Sequence, residues 1–263
     1  MRTELVSEPG DPLRPNEDFA GIGVPASGQG ASLVALDGVT PPRESGTGCL
    51  HSVPWYTARL GGALTELTVS LPDVPLAEAL ARAIARTSAA HAGTCDLSHP
   101  RTPQATVVLA RWSARSVEYL VLSDSALLVQ SPHGTVTAVL DDRLARLPRA
   151  ALATDEMIDA HLRNKEGGFF TAAADPSVAD RAVTGSLPRE EVTALAALTD
   201  GATRWVETFR EGDWADCLGL IQKEGAQALV ARVRSLERTD AHARTHLGGS
   251  KTHDDATVVY AEL

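Results

Sequence analysis

The chain of 263 residues predicts an α+β fold of four layers, an αββα sandwich of two stacked antiparallel sheets with helices on the outer faces. Three observations lead there. Short runs rich in Val, Leu and Ala recur near the front, through the middle and at the very end of the chain, which spreads strands along its whole length. The four central runs follow one another with only turn residues between them, as in an antiparallel meander. The stretches with helical spacing come in pairs between the strand blocks.

Residues 1–15 hold Pro9, Gly10, Pro12 and Pro15 and read as an extended lead-in. Ala31–Leu36 is uninterrupted and apolar, the pattern of a buried strand. After a Pro-, Gly- and Ser-rich loop over 41–48, residues 55–69 have helical spacing. Leu76–His91 is a clear amphipathic helix, with Leu76, Leu80 and Ile84 four apart among alanines. The meander is predicted over 104–112, 117–122, 126–130 and 135–140. Its turn signals are Ser113-Ala114-Arg115, Ser123-Asp124-Ser125 and Pro132-His133-Gly134. A helix over 155–163, a loop over 165–176, a strand over 192–198, helices over 205–209 and 214–236, and a closing strand over 256–262 complete the order. No internal repeat or linker divides the chain, so 1–263 is expected to form a single domain.

A hydrophobic content of 43% with 22% charged residues is globular, not disordered. The net charge of −10 argues against nucleic-acid binding and against a polybasic membrane contact. No apolar run approaches the roughly 20 residues of a membrane helix, and the first eight residues are mixed and polar. Cys49, Cys95 and Cys217 are widely spaced and read as neither a disulfide framework nor a zinc pattern. A reducing cytoplasm is the expected location, with the chain a monomer.

Chemistry concentrates in carboxylates at the edges of short apolar runs: Asn16-Glu17-Asp18, Asp37-Gly38 after Leu36, Asp200-Gly201 after Thr199, and Asp254-Asp255 before Ala256-Thr257-Val258-Val259. One Asp-Gly after a strand is ordinarily a turn. Repeated copies converging from rigid sheet edges would instead make an all-oxygen cage for Mg²⁺ or Mn²⁺.

With Ser123-Asp124-Ser125 added, the five motifs stand in an order that resembles the metal-dependent Ser/Thr protein phosphatases of the 2C type, in a divergent bacterial form, over residues 16–259. That family has the αββα sandwich, in agreement with the reading from the elements. The resemblance implies two Mn²⁺ or Mg²⁺ ions and a labile third. It makes Asp37 the carboxylate shared by both metals, Gly38 a backbone-carbonyl ligand, and Asp200 and Asp254 the carboxylates that complete the first metal site. Glu17 and Asp18 would hold metal-bound waters, Asp124 the third ion, and Asp255 would support Asp254. The implied activity is hydrolysis of phosphoserine or phosphothreonine in proteins by a metal-activated water, on the product of a Ser/Thr kinase. A small phosphorylated molecule as substrate, or a catalytically silent binding or regulatory module, are the alternatives.

The departures from the family pattern are specific. Leu13 stands where the family carries its phosphate-binding Arg, which leaves Arg14 or Arg204 for that role, Arg14 being favoured because a bulge in an extended lead-in could correct its direction. Val39 follows Asp37-Gly38 where some members have His. Arg204 stands four residues after Asp200, where an acidic or amide residue is usual, so the third ion is in doubt.

Other signals weigh less. Cys95 and Arg101 have the spacing of a cysteine-phosphatase loop, but Pro100 lacks an N–H and Asp96 would repel a dianion. His91 reads as a solvated helix residue, and His51 as a packed residue or one at the edge of the site. The loop with Gly167-Gly168 before Phe169-Phe170 reads equally as a plain surface loop and as a selector of substrate. Residues 246–253 are expected to border the site.

Overall fold

Leu33, Ala35, Val108, Ala110 and Val121 alternate along their strands with Val34, Leu36, Leu109, Leu120 and Leu122, and the two sets are buried against different partners. That period of two, with both faces covered, is why the strand runs are continuously apolar. The computed structural model describes residues 1–42, 46–243 and 251–263, with 241–243 by backbone alone.

One sheet has the order β1 (Arg2–Glu8), β10 (Ala256–Glu262), β9 (Ala194–Leu198), β6 (Ala126–Gln130) and β7 (Val136–Leu140). The other has the order β2 (Phe19–Gly23), β3 (Ala31–Leu36), β4 (Val107–Trp112), β5 (Ser116–Leu122) and β8 (Val183–Pro188). Every pairing is antiparallel, with Val258 opposite Leu198 and Val34 opposite Leu109 as representative registers.

Three apolar layers fill the spaces. Helices α1 (Val53–Ser70) and α2 (Leu76–His91) cover the second sheet through Tyr56, Leu60, Leu64, Leu80 and Ile84. Helices α4 (Asp200–Glu207), α5 (Trp214–Glu224) and α6 (Ala226–Ala243) cover the first through Trp205, Leu218, Ile221, Leu229 and Val233. The sheets meet through Leu33, Val108 and Val121 against Leu127, Leu195, Ala197 and Val259. The α+β sandwich of four layers is therefore the observed architecture.

The details correct the expected elements in several places. The lead-in is not extended throughout: Arg2–Glu8 forms an edge strand on β10, and residues 11–14 then turn, with the Arg14 N–H donating to the Asp11 carbonyl at 3.0 Å. The central strands are not one meander. β4 and β5 pair in one sheet and β6 and β7 in the other, so the chain changes sheets at Ser123-Asp124-Ser125. Ser123 takes a left-handed φ of 70° at this crossing, and its N–H donates to Asp141 at 2.8 Å. The helix near 155 is the short α3 (Asp155–His161), α4 begins at Asp200 itself, and the long helix predicted over 214–236 is broken by Gly225 at φ 92°.

Candidate active site at the junction of the two sheets

Four sequence-distant carboxylates reach one end of the sandwich. Asp37 leaves β3, Asp124 sits at the crossing between β5 and β6, Asp200 follows β9, and Asp254 precedes β10. They line a cavity of about 350 Å³ together with Gly38, Val39, Thr40, Lys251 and an apolar wall that includes Leu152, Ile158 and Phe169. The two Asp-Gly motifs are not turn chemistry. A Cβ on Gly38 would lie 2.4 Å from the Glu17 carbonyl and from Val53, and one on Gly201 would lie 2.0 Å from the Asp255 carbonyl. Each glycine lets a neighbouring backbone close on the base of the site.

The acidic pair near the start is tied into the same region. Thr199 donates to Asp18 at 2.9 Å and itself accepts from the Thr257 N–H at 2.9 Å, which links the first motif to the ends of β9 and β10. Thr40 donates to Glu17. The second oxygen of Asp18 is buried and has no hydrogen-bond partner.

Burial and mutual repulsion raise the pKa of these groups. Asp18 is pushed up to about 8, first by burial and then, against hydrogen bonds from Thr257 and Thr199, by Asp255 and Asp200. Asp200 is pushed up to about 7 by burial, then by Asp254 and Asp124. Asp37 is raised well above the usual range by burial and by Asp200, Asp18, Asp124 and Asp254. Such a set favours a bound cation. All-oxygen donors, an orphaned Asp18 oxygen and crowded carboxylates fit a hard divalent ion.

Two cationic side chains already share Asp254. Lys251 donates to it at 2.9 Å and to Thr40 at 3.0 Å. Arg204 donates to it at 3.1 Å. Burial works to lower Lys251, but Asp254, Asp200 and Asp37 outweigh it and hold the ammonium above its ordinary value. Of the segment 246–253, residues 246–250 lie outside the described residues, and Lys251 forms part of the site wall.

The placement of the remaining candidates differs among them. Arg14 is exposed and lines a groove of about 370 Å³ that shares Val39, Thr40, Arg163 and Lys251 with the carboxylate cavity. Its position follows from the 11–14 turn and not from a bulge. Arg204 is buried and holds Glu237 at 2.6 Å as well as Asp254, so its expected use as a substrate anchor gives way to an interior ion pair. Asp255 accepts from the Gly10 N–H at 2.7 Å and the Glu17 N–H at 2.6 Å. Both of its oxygens thus hold the 10–17 segment, and its own N–H donates to Asp254 at 3.2 Å. In the 165–176 loop, Phe169 and Phe170 are buried, Arg143 and Arg181 lie over the Phe170 ring, and Phe169 enters the cavity wall. Lys251 fell within the segment expected to border the site, but its bond to Asp254 was not legible, because nothing in the spacing of a lone lysine assigns it a carboxylate partner.

The sequence model for protein phosphatase 2C matches residues 14–247, and the chain belongs to that family. Among solved structures, it is similar to the serine/threonine phosphatase Stp1 from Staphylococcus aureus, with a TM-score of 0.60 at 16% identity, covering 99% of this chain and 94% of that one. It is also similar to the serine/threonine phosphatase PstP/Ppp of Mycobacterium tuberculosis, with a TM-score of 0.59 at 18% identity, covering 100% and 98% of the two chains. The serine/threonine phosphatase of S. agalactiae gives a TM-score of 0.61 at 15% identity, over 100% and 99%. Identities this low carry the fold. No curated protein sequence matches the chain. Among the described residues, no helix is long and apolar enough to cross a membrane.

Proposed function

We propose that the protein is a metal-dependent phosphatase acting on phosphoserine or phosphothreonine in proteins. The observation that carries this reading is the convergence of Asp37, Asp124, Asp200 and Asp254 on one cavity in a chain of the 2C family. Asp37, the Gly38 carbonyl, Asp200 and Asp254 would hold two Mn²⁺ or Mg²⁺ ions, with Glu17 and Asp18 holding waters beside them, and Asp124 would serve any third. Bound ions would supply positive charge against the phosphoryl oxygens and would lower the pKa of a water, so that it gives up a proton and becomes a nucleophile toward phosphorus.

The chain's own residues supply the rest. Arg14 offers a planar guanidinium from the rim to a phosphate dianion, and Lys251 offers a second charge from the wall. Val39, next to Asp37-Gly38, has no proton to give a leaving oxygen. The apolar wall at Leu152, Ile158 and Phe169 gives the peptide around the phosphorylated residue a surface to rest on. In this reading the substrate is the product of a Ser/Thr kinase, and the enzyme acts as a cytoplasmic monomer.

A specific observation favours a second reading. Asp254 is already neutralised by Lys251 and Arg204, as it would be in a catalytically silent module that keeps the fold to bind a partner. Hydrolysis of an aryl phosphate and of a phosphothreonine peptide should be measured with Mn²⁺, with Mg²⁺ and with chelator. The phosphatase reading expects both reactions to need metal and to vanish in Asp37→Asn. Turnover of the aryl phosphate alone would point to a small-molecule substrate. Absence of both reactions in a protein that still binds Mn²⁺ would point to the silent module.

A further inference from the structure

Outside the carboxylate cavity, three segments bring two cysteines and two histidines together. Cys49 and His51 lie in the loop between β3 and α1, His91 is the last residue of α2, and Cys95 is one turn beyond it. One donor atom from each lies within 4.8 Å of all the others. The Cys49 sulfur is 3.4 Å from His91 Nδ1 and 3.6 Å from His51 Nδ1, and the Cys95 sulfur is 3.4 Å from His51 Nδ1. The two sulfurs are 3.0 Å apart, and both cysteines are free.

Tetrahedral zinc with Zn–S near 2.3 Å and Zn–N near 2.0–2.1 Å has S···N edges of about 3.5 Å and an S···S edge of about 3.8 Å. The three S···N distances already have that length. Of these four edges only the S···S one differs, and the sulfurs would part by roughly 0.8 Å to admit an ion.

The backbone turns N–H donors toward both sulfurs. The Leu50 N–H donates to the Cys95 sulfur at 3.3 Å, and the His51 N–H donates to the Cys49 sulfur at 3.4 Å. Both imidazoles present a nitrogen to sulfur, which is a weak hydrogen-bond partner but a strong metal donor beside imidazole. His91 is 2% exposed, and its Nε2 is buried without a partner. Trp55 stacks on His51 at 4.0 Å and lies 5.2 Å from His91, walling the cluster with an aromatic ring. Burial corrects the expected solvated role for His91, and the fold brings together Cys49 and Cys95, whose wide sequence spacing hid the cluster.

We propose that Cys49, His51, His91 and Cys95 form a structural zinc site, distinct from the carboxylate cavity, that fastens the segment entering α1 to the end of α2. Four protein donors close a tetrahedron and leave no position for substrate, which makes the site structural and not catalytic. Its soft S₂N₂ donors select zinc, whereas the oxygen-lined cavity selects Mg²⁺ or Mn²⁺. The clasp has a backbone counterpart: the Asp96 N–H donates to the Gly48 carbonyl at 2.7 Å, and Gly48 takes φ 66° against His99. The fastened stretch, 48–52, ends at Ser52, whose side chain caps α1.

The test uses metal content and optical spectra, so it does not depend on phosphatase activity. The full chain, purified under reducing conditions, is expected to carry about one zinc and to keep it through dialysis that removes Mn²⁺ and Mg²⁺. Exchange into Co²⁺ should give the intense visible absorption and sulfur-to-metal charge transfer of tetrahedral thiolate-bound cobalt. The double substitution Cys49→Ser/Cys95→Ser should abolish both signals, and His51→Gln should weaken retention with less effect on folding. The wild-type measurements stand even if the double variant does not fold. A reduced wild-type chain without zinc and without cobalt–thiolate absorption would overturn the proposal. So would a Cys49–Cys95 disulfide found by peptide mapping in place of the metal.

Discussion

Arg14 and Arg204 carry the same charge but do different work, and the difference can be measured. Arg14→Ala removes an exposed guanidinium at the cavity rim and is expected to lower kcat/KM by about 10- to 1000-fold, with little change in stability. Arg204→Ala removes a buried partner of Glu237 and Asp254. Losing one member of a buried pair costs about 3–5 kcal/mol. Here the expected loss is smaller, about 2 kcal/mol, because Arg234 and His253 still face Glu237. Urea unfolding and steady-state kinetics on both variants separate the roles; an Arg14→Ala enzyme with unchanged kcat/KM would remove Arg14 from phosphate binding. Asp255→Ala frees the Gly10 and Glu17 N–H groups and should cost about 2 kcal/mol in the same unfolding assay. The individual motif residues were legible because strand-edge carboxylates recur in order. The split between Asp254, which faces the cavity, and Asp255, which holds a loop, was not, since adjacent residues point opposite ways only once the backbone is placed.

At the level of elements, Gly38 and Gly201 turn two strand ends into close backbone contacts. Gly201→Ala places a methyl group against the Asp255 carbonyl and is expected to destabilise the protein by about 2–3 kcal/mol, with loss of the Mn²⁺ response; Gly219→Ala on α5, with open space around it, should do neither. Thermal melts with and without Mn²⁺ check both. Long apolar runs such as Ala31–Leu36 and Leu76–His91 could be read because burial on both faces, or on one helical stripe, leaves a strong pattern. β1, β2 and β8 escaped because they are only partly covered: Val183–Pro188 is largely exposed, and Arg2–Glu8 alternates weakly at a sheet edge. The change of sheets at Ser123-Asp124-Ser125 looks like any hairpin in sequence. The cysteine–histidine cluster did leave a signal, since His91 and Cys95 are four apart at a helix end and Cys49 and His51 are two apart in a loop. What the sequence lacked was the contact between those two pairs.

Across the whole molecule, crowded carboxylates are expected to make stability depend on pH and on metal together. Without divalent metal, Asp18 and Asp200 keep protons to about pH 8 and about pH 7 in the folded state, far above the unfolded value near 4. The folded state then binds more protons than the unfolded state, so stability falls as pH rises through that window. The melting temperature of chelator-treated protein should therefore drop between pH 5 and pH 8, and Asp200→Asn should flatten the slope. Saturating Mn²⁺ should raise the melting temperature most at the alkaline end, by mass action. A melting temperature independent of pH over this range would show that the carboxylates are not crowded.

The lysine at the mouth of the cavity carries this one step further. Lys251 bonds Asp254 and Thr40 and stays protonated throughout the working pH range, so it acts as a tethered monovalent ion. Loading the cavity with a divalent ion is then a cation exchange in which the resident ammonium must step aside. The resident charge can never diffuse away, so it weakens metal binding by a constant factor at every metal concentration. Lys251→Met should remove that factor, shifting the Mn²⁺ concentration for the half-maximal melting-temperature rise down by about 3- to 10-fold.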